Sequence, residues 1–324
     1  MIGIRNAVAV PFGYVLGLMY MLTGNYLLAI IGLTILVRLC LLPVSIKQQK
    51  NSAKQVRLQP KVNKIRTKYA GNQQKIGEET QALYQREGFS PTQGGCMPLL
   101  IQMPIMLGLY GVIYTPLTNI LRIASGTVES LKEAFTVFAA NHTDLALRAQ
   151  TPEFDILKHL EAFIADKTPE VAQAVAKLTS GDLDLIHGFI DQFRVGSISF
   201  LDTPNAKEPS IMWAIPILAA VTSLLSAGFT FIKQRKLNPE MAKNPAMGCM
   251  TFMTPAMSVY FTFILPAGVG FYWIVSNIIS FIQVVVLSAV YSPQKVIAQQ
   301  MVEETIQRRA REKNVIKRVQ NNGV

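Results

Sequence analysis

At 324 residues the chain is long enough for two soluble domains, but half of its side chains are apolar and only 16% are charged. A soluble domain carries roughly 25% charged residues, so the composition excludes an ordinary globular protein and points to a lipid bilayer. The net charge of +11 would suit a nucleic-acid partner, yet its distribution argues against DNA. Residues 47–93 hold ten Lys/Arg against three Asp/Glu, 233–243 four against one and 294–324 seven against three, whereas 122–208 hold eight against thirteen. Hydrophilic segments of alternating sign follow the positive-inside rule, with basic ones cytoplasmic and the acidic one outside.

Between residues 6 and 46 the only charged side chain is Arg38, and windows 88–121, 209–232 and 244–294 hold none. A helix needs about 20 apolar residues to cross the hydrocarbon core, so these windows carry the spans. Residues 1–24 are expected to form an interfacial helix, because Val8–Leu22 contains Pro11, Gly13 and Gly17 and ends at a Gly24-Asn25 break. A re-entrant or spanning course stays open there. A cleaved signal peptide is disfavoured by the lack of a small-residue cleavage site. The first span, Tyr26–Ile46, fills segment 25–46.

Residues 47–93 are expected to form a basic cytoplasmic helical hairpin. Val62, Ile65 and Tyr69 share one helical face, as do Ile76, Leu83 and Tyr84, on either side of an Ala70-Gly71-Asn72 turn. Two readings stand: a solvated loop held inside by its charge, or a docking surface for anionic lipid, ribosomal RNA or an acidic partner. The second span, Met97–Tyr114, lies in segment 94–116.

The acidic extracytoplasmic insertion, 117–208, is expected to be a small all-helical cap. Its helix-start signals are Ser130 with Glu133, Thr151-Pro152-Glu153 and Thr168-Pro169-Glu170. Apolar residues recur at Ile156, Leu160, Phe163 and Ile164, and again at Ile186, Phe189, Ile190 and Phe193. His142, His159 and His187 are scattered without ligand spacing and are expected at the surface or in packing, so no metal site is expected. Cys40, Cys96 and Cys249 read as small packing residues.

The third span, Ile211–Phe231, lies in segment 209–232 and leads into a cytoplasmic loop, 233–245. In segment 246–291 the fourth and fifth spans, Met247–Leu265 and Val269–Tyr291, form a hairpin about Pro266-Ala267-Gly268. A basic cytoplasmic tail, 292–324, follows. The fold class is therefore all-α: a polytopic protein of five spans, N-terminus outside and C-terminus in the cytoplasm.

Arg38 is the residue that demands an explanation. An arginine inside a span costs about 2.5 to 3.5 kcal/mol on insertion scales. No window holds an Asp or Glu to pair with it. It must then face water, backbone carbonyls or a partner's carboxylate, and a hydrated groove is the simplest solution. Thr34 lies one turn before it on the same face. Gln102, Thr222, Ser223, Ser226, Ser276, Asn277 and Gln283 are further polar residues able to line such a groove, although each alone is as readily a helix-packing residue. Snorkelling is the competing account of Arg38, since Lys47 lies only roughly 13 Å further along a helix.

Several stretches resemble the YidC-type membrane protein insertases, which have relatives in mitochondria and chloroplasts. They are Gly24-Asn25-Tyr26, LTILVRLCLLPVSIKQQKNS, LQPKVNKIRTKY, ALYQREG, GGCMPLLIQMPIMLGLY, PILAAVTSLL, MTFMTPAMSVYFTFILPAGVGFYWIVSN and the basic tail. Nearly everything outside residues 122–196 is covered. The resemblance implies a hydrophilic groove open to the cytoplasm and to lipid but closed to the outside. It implies that Arg38 is the groove arginine and Thr34 its polar partner. It also implies that Tyr272 and Trp273 are an aromatic pair contacting substrate helices; from the residues alone these two read as interface or core aromatics. The implied partners are nascent membrane proteins, with the ribosome and the Sec translocon reached through the basic hairpin and tail. The implied type is minimal, without an extra N-terminal span, and the implied location is the bacterial plasma membrane.

The expected function is thus an insertase that passes short hydrophilic tails across the membrane and releases hydrophobic helices into lipid. A scaffold or folding chaperone for other membrane proteins overlaps with it. No phosphate-binding glycine-rich loop and no cofactor motif is present, and the spans offer no Asp, Glu or His for acid–base chemistry, so an enzyme is not expected. The alternative is a solute transporter that binds an anion at Arg38, but no inverted repeat accompanies it.

Overall fold

The computed structural model of the chain describes residues 2–89, 104–105, 107–108, 110–143, 145, 151–237 and 245–321. The chain divides into two compact units. One comprises Met1–Leu39, Leu99–Phe231 and Pro245–Ser280, and the other Cys40–Pro98, Ile232–Asn244 and Phe281–Val324.

The first unit opens with α1 (Ile2–Thr23). Gly24 ends it at φ +62, a left-handed conformation that lets its N–H reach back to the Tyr20 carbonyl at 2.8 Å. Asn25 then caps α2 (Tyr26–Cys40), its side-chain oxygen accepting from the N–H groups of Leu27 and Leu28 at 3.0 and 3.1 Å. The expected first span, Tyr26–Ile46, is not continuous: α2 stops at Cys40 and a new helix, α3 (Leu42–Lys68), begins beyond Leu41. Pro43 is the cause, because it has no N–H to give to the carbonyl four residues back and its ring collides with that carbonyl. Cys40, expected as a packing residue, is exposed.

Half of the second expected span, Gln102 included, lies outside the described residues, as does Cys96 just before it. Its end does not: residues 110–113 are helical, with Val112 and Ile113 buried. The acidic insertion follows as α5 (Pro116–Asn119), α6 (Ser125–Asn141), α7 (Pro152–Lys158), α8 (Leu160–Ala165), α9 (Pro169–Val175) and α10 (Ser180–Asp191). Thr151 and Thr168 stand at the N-cap positions with proline in the first turn, as expected, but neither hydroxyl makes a capping hydrogen bond. Ser130 does not start a helix. It lies inside α6, and its hydroxyl bonds back to the Gly126 carbonyl at 2.9 Å. The apolar run from Ile156 to Ile164 is likewise two helices, broken at His159.

Nor is the insertion wholly helical. Arg194–Val195 (β1) and Ile198–Ser199 (β2) pair antiparallel across a two-residue loop in which Gly196 sits at φ +60, the pattern of a type II′ turn. The insertion buries Phe135, Phe138, Phe163 and Phe189, each at most 1% exposed, in a core continuous with buried residues of α1, α2 and the helix Ala267–Val290. Each such ring contributes about 1.5 to 3 kcal/mol relative to an exposed one.

The unit closes with α11 (Ala214–Leu237), α12 (Pro245–Thr262) and α13 (Ala267–Val290), of which the outermost parts of α11 and α13 belong to the other unit. By length and composition Ile211–Leu237 and Ala267–Val290 suffice to cross a membrane. The α12 helix occupies the expected fourth span over 18 residues. It meets α13 through Phe261 and Trp273, whose ring centroids lie 5.6 Å apart. Gly270 allows α13 to approach α11 closely, for a Cβ there would overlap the Ile215 side chain.

The second unit contains α3, α4 (Gln73–Arg86) and α14 (Pro293–Asn321). Gly71, at φ +90, turns the chain between α3 and α4 where a turn was expected, and Asn72 caps α4 by accepting from Lys75 N–H at 3.0 Å. The apolar seam is thin: Val62 is buried on α3, while no residue of α4 is.

Candidate functional site

The sequence placed Arg38 inside a continuous span, Tyr26–Ile46; because that span breaks after Cys40, Arg38 instead lies in the last turn of α2, only partly exposed. Its Nη2 donates to the Ser276 hydroxyl of α13 at 2.8 Å and lies 3.5 Å from the Ser276 carbonyl. Ser276 is itself buried. Among the described residues no carboxylate stands within ion-pair distance of Arg38. One neutral hydroxyl cannot replace the hydration of a guanidinium with five N–H donors.

The other candidates divide into two groups. Ser226, Thr222 and Asn277 join α11 to α13: Ser226 donates to the Asn277 carbonyl at 3.5 Å and Asn277 Nδ2 to the Thr222 hydroxyl at 3.4 Å. Asn277 is the sequence neighbour of Ser276, and these bonds hold the helix that presents it. Thr34 and Ser223 are buried and turn their hydroxyls onto their own helices, Thr34 to the Ile30 carbonyl at 2.7 Å and Ser223 to Ala220 at 3.0 Å. A hydroxyl satisfied in this way travels in an apolar setting without a partner helix. Gln102 lies outside the described residues, and Gln283 belongs to the other unit.

Tyr272 and Trp273 sit one turn before Ser276 and Asn277 on α13. Both are buried in the apolar cluster of the first unit, 4% and 9% exposed. Ser276, which the sequence offered only as one polar residue among several, is thus the direct partner of Arg38.

The second unit concentrates the positive charge. Arg57 of α3 grips Glu304 of α14 with two hydrogen bonds, 2.7 and 2.8 Å, and these hold the Glu304 carboxyl below the usual carboxylate range. Lys61 pairs with Glu87, and Lys54 Nζ donates to the Gly88 carbonyl at 3.3 Å. A shallow cleft of about 570 Å³ runs along α4, lined by Arg66, Ile76, Thr80, Tyr84 and Phe89. Burial raises the Tyr84 hydroxyl above its ordinary pKa.

The three histidines have local partners. His142 stacks on Phe138 with centroids 4.2 Å apart and lies 3.6 Å from Asp166, and His187 is 3.8 Å from Glu161. Burial, with Lys158 beside it, keeps the His159 pKa low.

Comparison with known proteins adds the following. A family model described as "60Kd inner membrane protein" matches residues 18–295. The chain is 25% identical to "Membrane protein insertase YidC 2" of Listeria innocua over 295 residues, 89% of this chain and 74% of the relative. It is 29% identical to "Membrane protein insertase MisCA" of Bacillus subtilis over 263 residues, 79% of this chain and 68% of the relative. It is 26% identical to "Membrane protein insertase YidC" of Syntrophobacter fumaroxidans over 85% of this chain but only 37% of the relative.

Proposed function

Because the chain belongs to the 60Kd inner membrane protein family, the family of the YidC insertases, we propose that it is a membrane protein insertase and chaperone whose working cation is Arg38. The observation that carries this reading is a guanidinium on an apolar helix, held by the hydroxyl and, more weakly, the carbonyl of one serine, with no carboxylate beside it among the described residues. Such a cation lowers the barrier for an acidic, hydrophilic tail entering the membrane, since attraction is stronger where water is scarce. It also stays exchangeable, because a neutral hydroxyl is a weak competitor for it. Apolar burial of the substrate helix and the membrane potential acting on its charges then drive insertion without nucleotide.

In this reading five spans enclose a hydrophilic groove. The N-terminus and the acidic insertion lie outside, and the basic helices and tail lie in the cytoplasm. Nascent membrane proteins are the substrates; the ribosome, the Sec translocon and anionic lipids meet the basic surfaces of α3, α4 and α14. Tyr272 and Trp273 touch a substrate helix only after it has displaced part of the apolar packing that now covers them.

The test uses substrates with acidic and with neutral tails. Arg38→Ala is expected to cut insertion of the acidic-tailed substrate about ten-fold or more, the scale of one lost charge-assisted hydrogen bond, and to spare the neutral one. Arg38→Lys is expected to retain most activity, because charge and not the planar fork is used. Equal loss from both variants sinks the electrostatic reading. Photo-crosslinkers at Thr34, Tyr272 and Trp273 add a geometric check: nascent chains absent from all three count against the groove.

A further inference from the structure

The stretch that closes the acidic insertion, Gln192–Asp202, reaches back over the starts of two helices. At the first, Gln192 Oε1 accepts from the Tyr26 N–H of α2 at 3.0 Å, and Gln192 Nε2 donates to the Tyr20 hydroxyl of α1 at 3.0 Å. One amide therefore fastens the end of α10 to both α1 and α2. Four rings pack beside it: Tyr26 lies 4.6 Å from Phe193 and 5.2 Å from Phe189, and Tyr20 lies 5.8 Å from Phe189.

At the second start, the carbonyls of Asp202 and Phe200 accept from the first N–H groups of α13, Ala267 at 2.8 Å and Gly268 at 2.9 Å. Gly268 permits this approach, for a Cβ there would lie 3.3 Å from the Phe200 oxygen. The Phe200 ring packs edge-on against Phe271, 5.5 Å away.

The first N–H groups of a helix have no partner within it and ordinarily draw water. Here protein acceptors take N–H groups at the starts of the two helices that carry Arg38 and Ser276, and aromatic rings cover them. Arg38 is twelve residues beyond Tyr26, roughly 18 Å by helical rise.

We infer that Gln192–Asp202 is a latch that closes this end of α2 and α13 to water, so that Arg38 is hydrated from the opposite end alone. The inference rests on the reading of Arg38 as a hydrated cation. A protein with a wet cation inside a membrane needs such a closure, because a continuous water column would conduct protons.

The experiment uses the full-length protein in liposomes with a trapped pH-sensitive dye, and follows proton entry after an external pH step with no substrate present. Gln192→Ala is expected to raise the leak about ten-fold, as loss of the two bonds shifts the closed population. Gln192→Glu, whose carboxylate accepts from both Tyr26 N–H and the Tyr20 hydroxyl, is expected to stay near the native leak. Tyr20→Phe, which removes one bond, is expected to raise it about two- to three-fold. Elution and helical content report whether Gln192→Ala folds, and if it does not, Tyr20→Phe decides.

A native-level leak in the deciding variant overturns the latch, as does an equal leak from the Glu and Ala variants. Insertion untouched by Arg38→Ala, alongside a leak from Gln192→Ala, would remove the groove reading while leaving the closure in place.

Discussion

In the acidic insertion the Glu153 carboxylate is wholly buried, accepting from Thr118 N–H at 3.0 Å and from the Thr118 hydroxyl at 2.8 Å, with Lys132 Nζ 3.0 Å away. In the basic unit the Glu304 carboxylate is 59% exposed and held by a single arginine. Both are carboxylates paired with a cation in helical surroundings. The first is fixed by donors from three directions inside an aromatic core, the second by a fork at the surface. The carboxylate of the insertion is fixed in place, whereas that of the basic helices is open to solvent and to screening by salt.

The largest expected effect tests the buried member. Glu153→Ala leaves the Thr118 N–H without an acceptor and strands Lys132 at the edge of the core, a loss of about 3 kcal/mol. It should appear as a lower melting temperature and as faster amide exchange across α5 to α7. Exchange confined to Thr118 itself would break the comparison, because it would make the carboxylate a local cap.

A smaller effect is expected at Thr179, whose hydroxyl accepts from the Asp182 N–H at 3.1 Å while Asp182 accepts from the Thr179 N–H at 3.0 Å. Thr179→Ala should cost about 1 kcal/mol and speed exchange in the first turn of α10. These bonds also hold the Asp182 carboxyl below its usual range, so their contribution is present at neutral pH and fades as pH drops through that lowered value.

The least effect is expected at the exposed pair. Glu304→Gln should cost under about 1 kcal/mol, with the difference vanishing in high salt. The sign of its pH dependence follows from the depressed Glu304 carboxyl: the pair stabilises fully above the ordinary glutamate pKa of about 4.3 and is lost as pH falls through the lower folded value. Exchange in α14 measured across that range checks it. A large, salt-independent loss would mean that α14 is fixed as firmly as the insertion.

Much of this was readable in the sequence for local reasons. The turn at Gly71, the caps at Thr151 and Thr168 and the apolar third and fifth spans depend on signals within a few residues of themselves. Pro43 also announced the end of α2, but the unbroken apolar run around it concealed the break. The Gly196-Ser197 turn is an equally local signal, but helical periodicity dominates the segment around it. Ser125 begins α6 without a side-chain cap, so nothing nearby competed with the signal at Ser130.

The partner of Arg38 was less accessible, since Ser276 lies 238 residues away and resembles the other hydroxyls of the spans. Gln192 gave no signal at all: its two bonds reach back 166 and 172 residues, and no short window records them.

The glycine at 270 carries one more implication. Where α13 meets the Ile215 side chain there is no room for even a methyl group, so any side chain at 270 would displace Ile215. If the protein releases helices sideways into lipid, as proposed, a chain passing at this contact would first have to push the Ile215 side chain aside.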